Sequence, residues 1–381
     1  MDRKRRAFLT EQNLDGLLFV GDSICDQDMY YLSRFLTTDR FTLLAADKIH
    51  LLVSSMEQGR ASKESFADLV VNTTDFGIAE KLKASGKPEE AYLEVLREFL
   101  LEQGIKRLGL TNRFPAGIYS YLSRNFEIIL LDSPVSRWRA VKTKEEIEAI
   151  KAVQKACEQA LSLAVELISR SRPKGDYIYL DDCPLTSETL RAVIEVALLE
   201  RGCDAVDTIV AGGFAAADPH ARGTGPLPAN APIVIDIFPR SRCSRYFADM
   251  TRTVLKGEAS LEVEEMYDAV LDAQQTGLGA IQAGASGREV HSRVCQVFHD
   301  HGYPEREGKG FIHSTGHGVG LNIHERPSLG LAEDILEVNN VVTVEPGLYY
   351  PEIGGIRLED LAVVTAQGFE NLTNFERRLV V

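Results

Sequence analysis

Five residues in the second half of this chain have types and settings suited to holding metal: Asp236, Asp249, His317, Glu345 and Glu359. PIVIDIF (232–238) is an apolar run with a single charge, Asp236, at its centre. A carboxylate among Ile, Val and Phe is unfavourable unless it is paired or bound to a cation. RYFADMTRTV (245–254) repeats that setting with Asp249, VVTVEPGLYY (341–350) ends an apolar run with Glu345, and GIRLEDLAVV (355–364) carries Glu359. Period-two alternation predicts that Arg357 shares the face of Glu359. HSTGHGVGLNIHERP, from His313 to Pro327, spaces His313, His317 and His324 by four and seven residues. Its three glycines let backbone approach a ligand closely. The segment lacks the His-Glu-x-x-His order of a zinc helix, and GHGVG lacks the spacing and context of a dinucleotide loop.

Charge is the reason to join these segments. Four carboxylates converging on one site would repel, and most would be protonated near neutral pH if left alone. Two divalent cations would balance them. An oxygen-rich set with one imidazole suits manganese, cobalt, iron(II) or zinc better than calcium. Taken singly, each acid reads equally as a structural ion pair or a surface charge.

These residues need a scaffold. The first 132 residues alternate short strand-like runs, such as GLLFV (16–20), HLLVSS (50–55), RLGLT (107–111) and EIILLD (127–132), with helical periodicity in EAYLEVLREFLLEQG (90–104). That is the pattern of a small α/β domain. SPVSRWRAVKT (133–143) then leads into Thr143 and Glu146, which predict a capping box before a long helix. The domain boundary is expected near residue 140, dividing 1–140 from 141–381. The Pro-x-x-Gly-Gly stretch at 351–355 predicts a hairpin between the last two acid-bearing strands.

Bulk properties exclude some classes. The net charge of −14 argues against nucleic acid or an anionic membrane surface as partner. No apolar stretch approaches the roughly 18 residues of a membrane span, and the basic start lacks the apolar core of a signal peptide. Six scattered cysteines without a Cys-x-x-Cys pair read as reduced thiols, so a cytoplasmic protein is expected. Seven of the eight histidines fall between His220 and His324, which places the polar chemistry late in the chain.

Together, the Asp236 strand, DMTRT (249–253), HGVGLNIHERP (317–327), VEPGLY (344–349), RLED (357–360) and PHAR (219–222) resemble the pita-bread metallopeptidases, specifically the aminopeptidase P and prolidase group. The resemblance implies a two-domain fold. A small creatinase-like α/β domain would precede a pita-bread α+β catalytic domain with an antiparallel sheet. It also implies a dinuclear-metal peptidase that hydrolyses the X-Pro bond of dipeptides or of peptides with proline second, through a hydroxide bridging two divalent ions. Manganese is the first expectation, with cobalt, zinc or iron as alternatives, and a homodimer is the expected assembly.

By the same resemblance, Asp236 would hold one ion, Asp249 and Glu359 would bridge, and His317 and Glu345 would complete the second. Glu345 would also accept the proton of the attacking water. His324 would stabilise the tetrahedral intermediate and help protonate the leaving nitrogen. His220 and His313 would shape the proline pocket, while Arg357 would orient Glu359 or a substrate carbonyl. His299 and His301 read instead as an exposed helix end.

The sequence departs from its relatives after Asp236. The family commonly has Asp-x-Gly and a shorter separation; here Ile237, Phe238 and Pro239 follow, and Asp249 comes thirteen residues later. The added loop RSRCSR (240–245) is basic, so Arg240, Arg242 or Arg245 is a candidate receptor for a substrate carboxylate. Arg326 lies inside the His-Glu-x-Pro step and Ser328 just beyond it, which leaves dipeptidase and aminopeptidase both open. Two other readings of the fold are a metal-free amidinohydrolase of the creatine type and a non-catalytic binding protein; retention of all five ligand positions weighs against both.

Overall fold

Short apolar runs in the first part of the chain become the strands of one mixed sheet. In the computed structural model, which describes residues 2–304 and 308–381, the chain divides into Met1–Arg139 and Ala140–Val381. The first unit contains β1 (Gly16–Gly21), β2 (Phe41–Ala45), β3 (Ile49–Val53), β4 (Leu69–Asn72), β5 (Arg107–Thr111) and β6 (Glu127–Leu131), in the order β4-β3-β2-β1-β5-β6. β1, β5 and β6 run parallel, whereas β2 is antiparallel to both of its neighbours. Helix α1 (Pro88–Glu102) has proline in its first turn followed by two acids, an arrangement that suits the free N–H groups and dipole there. Its Tyr92, Val95, Leu96 and Phe99 lie in one core cluster with Leu18, Leu52 and Leu108 of the sheet.

The second unit opens with α2 (Lys144–Arg170), and the capping box forms as expected. Thr143 Oγ1 accepts from the Glu146 amide at 3.3 Å, and Glu146 Oε2 accepts from the Thr143 amide at 2.8 Å. Helix α3 (Ser187–Glu200) follows. Val153, Cys157 and Leu161 of α2 and Leu190 and Ile194 of α3 share a core with Ile233, Ile235, Ile237 and Met250. Those last four belong to a three-stranded antiparallel sheet of β7 (Ile209–Gly212), β8 (Ile233–Ile237) and β9 (Met250–Val254), with β8 in the middle.

Two further helices, α4 (Leu261–Gly279) and α5 (Gly287–Asp300), precede the final sheet. The strands in this last part of the chain are β10 (Gly316–Gly318), β11 (Glu325–Leu329), β12 (Val341–Val344), β13 (Gly347–Tyr350), β14 (Gly354–Arg357), β15 (Asp360–Thr365) and β16 (Gly368–Asn371). Five of them form an antiparallel sheet in the order β11-β10-β12-β15-β16. The architecture is mixed α/β first and antiparallel α+β second, as expected.

The expected hairpin between two acid-bearing strands is corrected in one respect. Each strand breaks into two. β12 pairs with β15 inside the five-stranded sheet, while β13 and β14 form a separate hairpin. The breaks fall at Glu345-Pro346 and at Leu358-Glu359. Proline has no N–H to give a ladder, and Glu345 and Glu359 turn their amides to other carbonyls, Thr315 at 2.8 Å and Thr251 at 3.0 Å.

All six cysteines are free thiols. No helix among the described residues is long and apolar enough to cross a membrane.

Candidate metal centre

The site is assembled on β8, the residue leading into β9, β10, and the two strand breaks. Asp236 stands near the end of β8, opposite Thr251 of β9. Alternation along β9 then sorts its neighbours. Met250 enters the apolar core, and Arg252 turns away to Asp360 at 2.8 Å. Thr251 and Thr253 face the other way. Thr251 Oγ1 donates to Glu359 Oε2 at 2.8 Å, and Thr253 Oγ1 donates to the Arg357 carbonyl at 2.9 Å.

Donor atoms of Asp249, His317 and Glu359 lie within 4.8 Å of one another. His317 Nε2 is 3.2 Å from Glu345 Oε1 and 3.7 Å from Asp249 Oδ2. Its Nδ1 sits 3.2 Å from the Gly318 carbonyl, where it can only donate, and this turns Nε2 toward the acids. Asp236 joins through Arg357, whose Nη2 donates to Asp236 Oδ2 at 2.8 Å. The five residues expected as ligands are thus placed in one neighbourhood by strands far apart in sequence.

The electrostatics of this cluster are strained. Asp249 and Glu359 have pKa values pushed well above the carboxylate range, first by burial and then by neighbouring acids. Asp236 shifts upward too; burial dominates, Arg357 opposes it, and Glu345 adds to it. Glu345 goes the other way, to about 2: burial would raise it, but the hydrogen bond and charge of His317 outweigh that. His317 is correspondingly raised, with burial opposing and Glu345 prevailing. Asp236 Oδ1 and Glu359 Oε1 are buried without a hydrogen-bond partner. Bare buried carboxylate oxygens beside other acids are what a bound cation would satisfy, so the donor set fits divalent metal.

The other histidines lie around this centre. The ring of His324 stands 4.3 Å from that of His317, nearly perpendicular to it. Partial burial and then His317 lower its pKa. His313 Nδ1 donates to the Ser314 carbonyl at 2.8 Å, its Nε2 lies 2.9 Å from the Tyr349 hydroxyl, and burial lowers its pKa. His220 is exposed, and its charge is felt at both His313 and His324. His299 is exposed in the last turn of α5, and His301 caps that helix with Asp272 at 3.0 Å.

Two expectations need correction. Arg357 does not reach Glu359 directly. Its guanidinium holds Asp236 and Tyr349, each at 2.8 Å, and touches the setting of Glu359 only through Thr251, at 3.3 Å. The basic loop is not an open carboxylate receptor either. Arg240 and Arg242 converge on Asp204, at 3.3 and 3.0 Å, and Arg245 is buried. Arg326 likewise pairs with Asp334 at 3.2 Å.

Thr251 and Tyr349 do not stand out in the sequence, although both lie inside motifs that do. Thr251 links Glu359 to Arg357, and Tyr349 links Arg357 to His313. Burial pushes the Tyr349 pKa up to about 12, so its hydroxyl stays protonated and can serve both partners. Thr251→Val keeps the shape of the side chain and removes the link. Loss of an outer hydrogen bond to a ligand lowers metal affinity roughly 10- to 100-fold. The expected result, read by isothermal titration with manganese, is a fall of that size with an unchanged circular dichroism spectrum.

The chain matches Metallopeptidase family M24 over residues 148–366. A curated Xaa-Pro dipeptidase of Pyrococcus horikoshii is 28% identical over 98% of this chain and 96% of its own length. The solved structure of an Xaa-Pro dipeptidase from Bacillus anthracis superposes with a TM-score of 0.83 at 27% identity, covering 100% of this chain and 99% of that one. An X-Pro aminopeptidase structure from Thermotoga maritima gives 0.80 at 27%, covering 99% and 100%.

Proposed function

This chain belongs to metallopeptidase family M24, in its pita-bread Xaa-Pro group, and from that premise we propose that it hydrolyses the bond before proline at the N-terminus of small peptides, using two divalent ions. The observation that carries the reading is the convergence of Asp249, His317 and Glu359 donor atoms within 4.8 Å, flanked by two buried carboxylate oxygens that lack partners.

Asp236, Asp249, His317, Glu345 and Glu359 would hold the ions. Divalent metal supplies Lewis acidity there, polarising a carbonyl and making water acidic near neutral pH. The protein supplies the rest. Glu345, ionised beside His317, is placed to take a proton from the attacking water. Arg357 fixes one oxygen of Asp236 and leaves Oδ1 for metal. The scissile bond before proline is a tertiary amide, and its ring nitrogen must gain a proton to leave. His324, at the open edge of the site, is the group positioned to give it. His313 and His220 line the side on which the proline ring would lie.

Manganese, with cobalt, zinc or iron as alternatives, suits this donor set. Residues 1–140 act as a separate creatinase-like domain and 141–381 as the catalytic one, in a cytoplasmic homodimer that binds neither nucleic acid nor membrane. The test is release of proline from Ala-Pro and Ala-Pro-Ala after dialysis against a chelator, with and without added manganese or cobalt. Hydrolysis is expected to vanish on dialysis and return with metal. Failure of both substrates under metal would overturn the proposal, and their ratio separates dipeptidase from aminopeptidase.

A further inference from the structure

Glu325 follows His324 in the His-Glu-x-Pro step, yet it plays no part in the chemistry above. It forms an ion pair with Lys142, Nζ to Oε1 at 2.6 Å. The two side chains are 0% and 4% exposed, and the residues are 183 positions apart in sequence. A pair this deeply buried gives up much hydration, and apolar side chains of similar size would often stabilise a fold as well or better. Stability alone therefore explains little about why two charges sit here.

Their surroundings point to a different use. Lys142 stands on a backbone stitched to the 339–340 turn. Its amide donates to the Asn339 carbonyl at 3.0 Å, and Asn340 Nδ2 donates to the Ala140 carbonyl at 2.9 Å. Glu325 closes the loop that carries His324. Its Oε2 accepts from the Asn322 amide at 3.4 Å, while Oε1 takes the lysine. The glycines of HGVG make room for this closure. A Cβ on Gly320 would come within 2.2 Å of Glu325 Oε1, and one on Gly318 within 2.2 Å of the Arg326 carbonyl. The β10–β11 register also shifts between His317 and Gly318, and beyond the shift Gly318 pairs with Glu325, so strand pairing holds the backbone of Glu325 while residues 321–324 lie outside the ladder. The imidazole of His324 stands 4.3 Å from His317 in a loop closed by the Gly320–Asn322 backbone hydrogen bond at 3.0 Å and by the Glu325 carboxylate, which ties Asn322 to Lys142.

We propose that the Lys142–Glu325 ion pair is a positioning device: it locks the loop 320–325 so that the His324 ring is presented to the leaving nitrogen. Lys142 and Glu325 touch neither substrate nor metal and act through His324. The significance of that ring rests on the peptidase reading, whereas the locking of the loop does not.

Removing one partner would leave a buried charge alone and endanger the fold, so the informative variant removes both. Lys142→Met/Glu325→Gln, compared with the parent, is expected to keep its melting temperature and metal content. For Ala-Pro at saturating metal, kcat should fall tenfold or more while KM stays within about twofold, because binding groups are unmoved and only proton delivery is misplaced. A second readout is independent of activity. In the metal-free protein, the His324 ring resonances, assigned with His324→Gln, should shift and broaden, while those of His313 do not. A purely structural pair, whatever its effect on the melting temperature, would leave kcat per folded molecule and the His324 signals as in the parent; that result overturns the proposal. If the parent cleaves neither peptide, the function fails, and the ring resonances alone decide the loop. Should the double variant not fold, Lys142→Arg, which keeps the charge and alters the reach, carries the same two readouts.

Discussion

Glu359→Gln is expected to lower kcat/KM for X-Pro hydrolysis by about a thousandfold or more and to leave the protein folded. Glutamine keeps the volume and can still accept from Thr251, so the local structure has no reason to collapse. What disappears is one negative charge at a residue proposed to hold metal. Loss of an outer hydrogen bond weakens a metal site roughly 10- to 100-fold, and loss of an anionic ligand exceeds that. Metal content after gel filtration and steady-state kinetics with Ala-Pro both report the change. Full metal occupancy in the variant would remove Glu359 from the ligand set, because Oε1, now without a partner, is the oxygen the reading assigns to metal.

The second large effect concerns stability and its dependence on pH. Asp249 and Glu359 have folded pKa values raised well above the ordinary range. The metal-free native state therefore holds protons that the unfolded chain has released once pH exceeds about 4. Stability contributed by these groups falls as pH rises toward their folded pKa values. His317, also raised, acts in the same direction. His313 and His324, both lowered, act oppositely; they bind no metal in this reading and largely cancel when metal-loaded and chelated samples are compared. Metal takes the deprotonated ligands and removes the repulsion, so its stabilising effect should grow with pH. At a hundredfold excess over Kd, ligand binding contributes about 2.7 kcal/mol. That corresponds to roughly 5–10 °C in a domain of this size. Calorimetric scans from pH 5.5 to 8 are expected to show a widening gap between manganese-loaded and chelated protein. A gap that is constant or narrows with pH would mean that Asp249 and Glu359 are not the groups metal deprotonates.

Much of this site is legible in the order of amino acids. Asp236 in an Ile-Val run and Asp249 in DMTRT stand out as charges that a buried strand does not tolerate alone. The histidine-glycine segment is unusual enough to identify its neighbourhood. Thr143 and Glu146 specify the start of the long helix by local hydrogen bonding, which needs no tertiary information. Period-two alternation puts Arg357 and Glu359 together, and both do reach the site, though a strand break lies between them.

Other features are hidden because they depend on partners distant in sequence. Nothing local says that Arg240 and Arg242 will close on Asp204, which a two-residue pairing brings alongside them. The basic loop therefore looks free in sequence and is engaged in the fold. Thr251 and Tyr349 are ordinary strand residues until β9 and β14 lie side by side and Arg357 reaches both. The strand breaks at Glu345 and Glu359 follow from the amides of those residues finding Thr315 and Thr251, contacts that exist only once the sheets are assembled.

Which residues carry charge into apolar strands is written in the chain itself, and with it the kind of chemistry the chain performs, because an uncompensated buried carboxylate is expensive wherever it falls. How those carboxylates divide their oxygens among Arg357, Thr251 and His317 is settled by the assembled fold. So is the meeting of Lys142 with Glu325. Most of these hydrogen bonds and ion pairs join residues more than a hundred positions apart across a few ångströms, and no spacing along the chain encodes them.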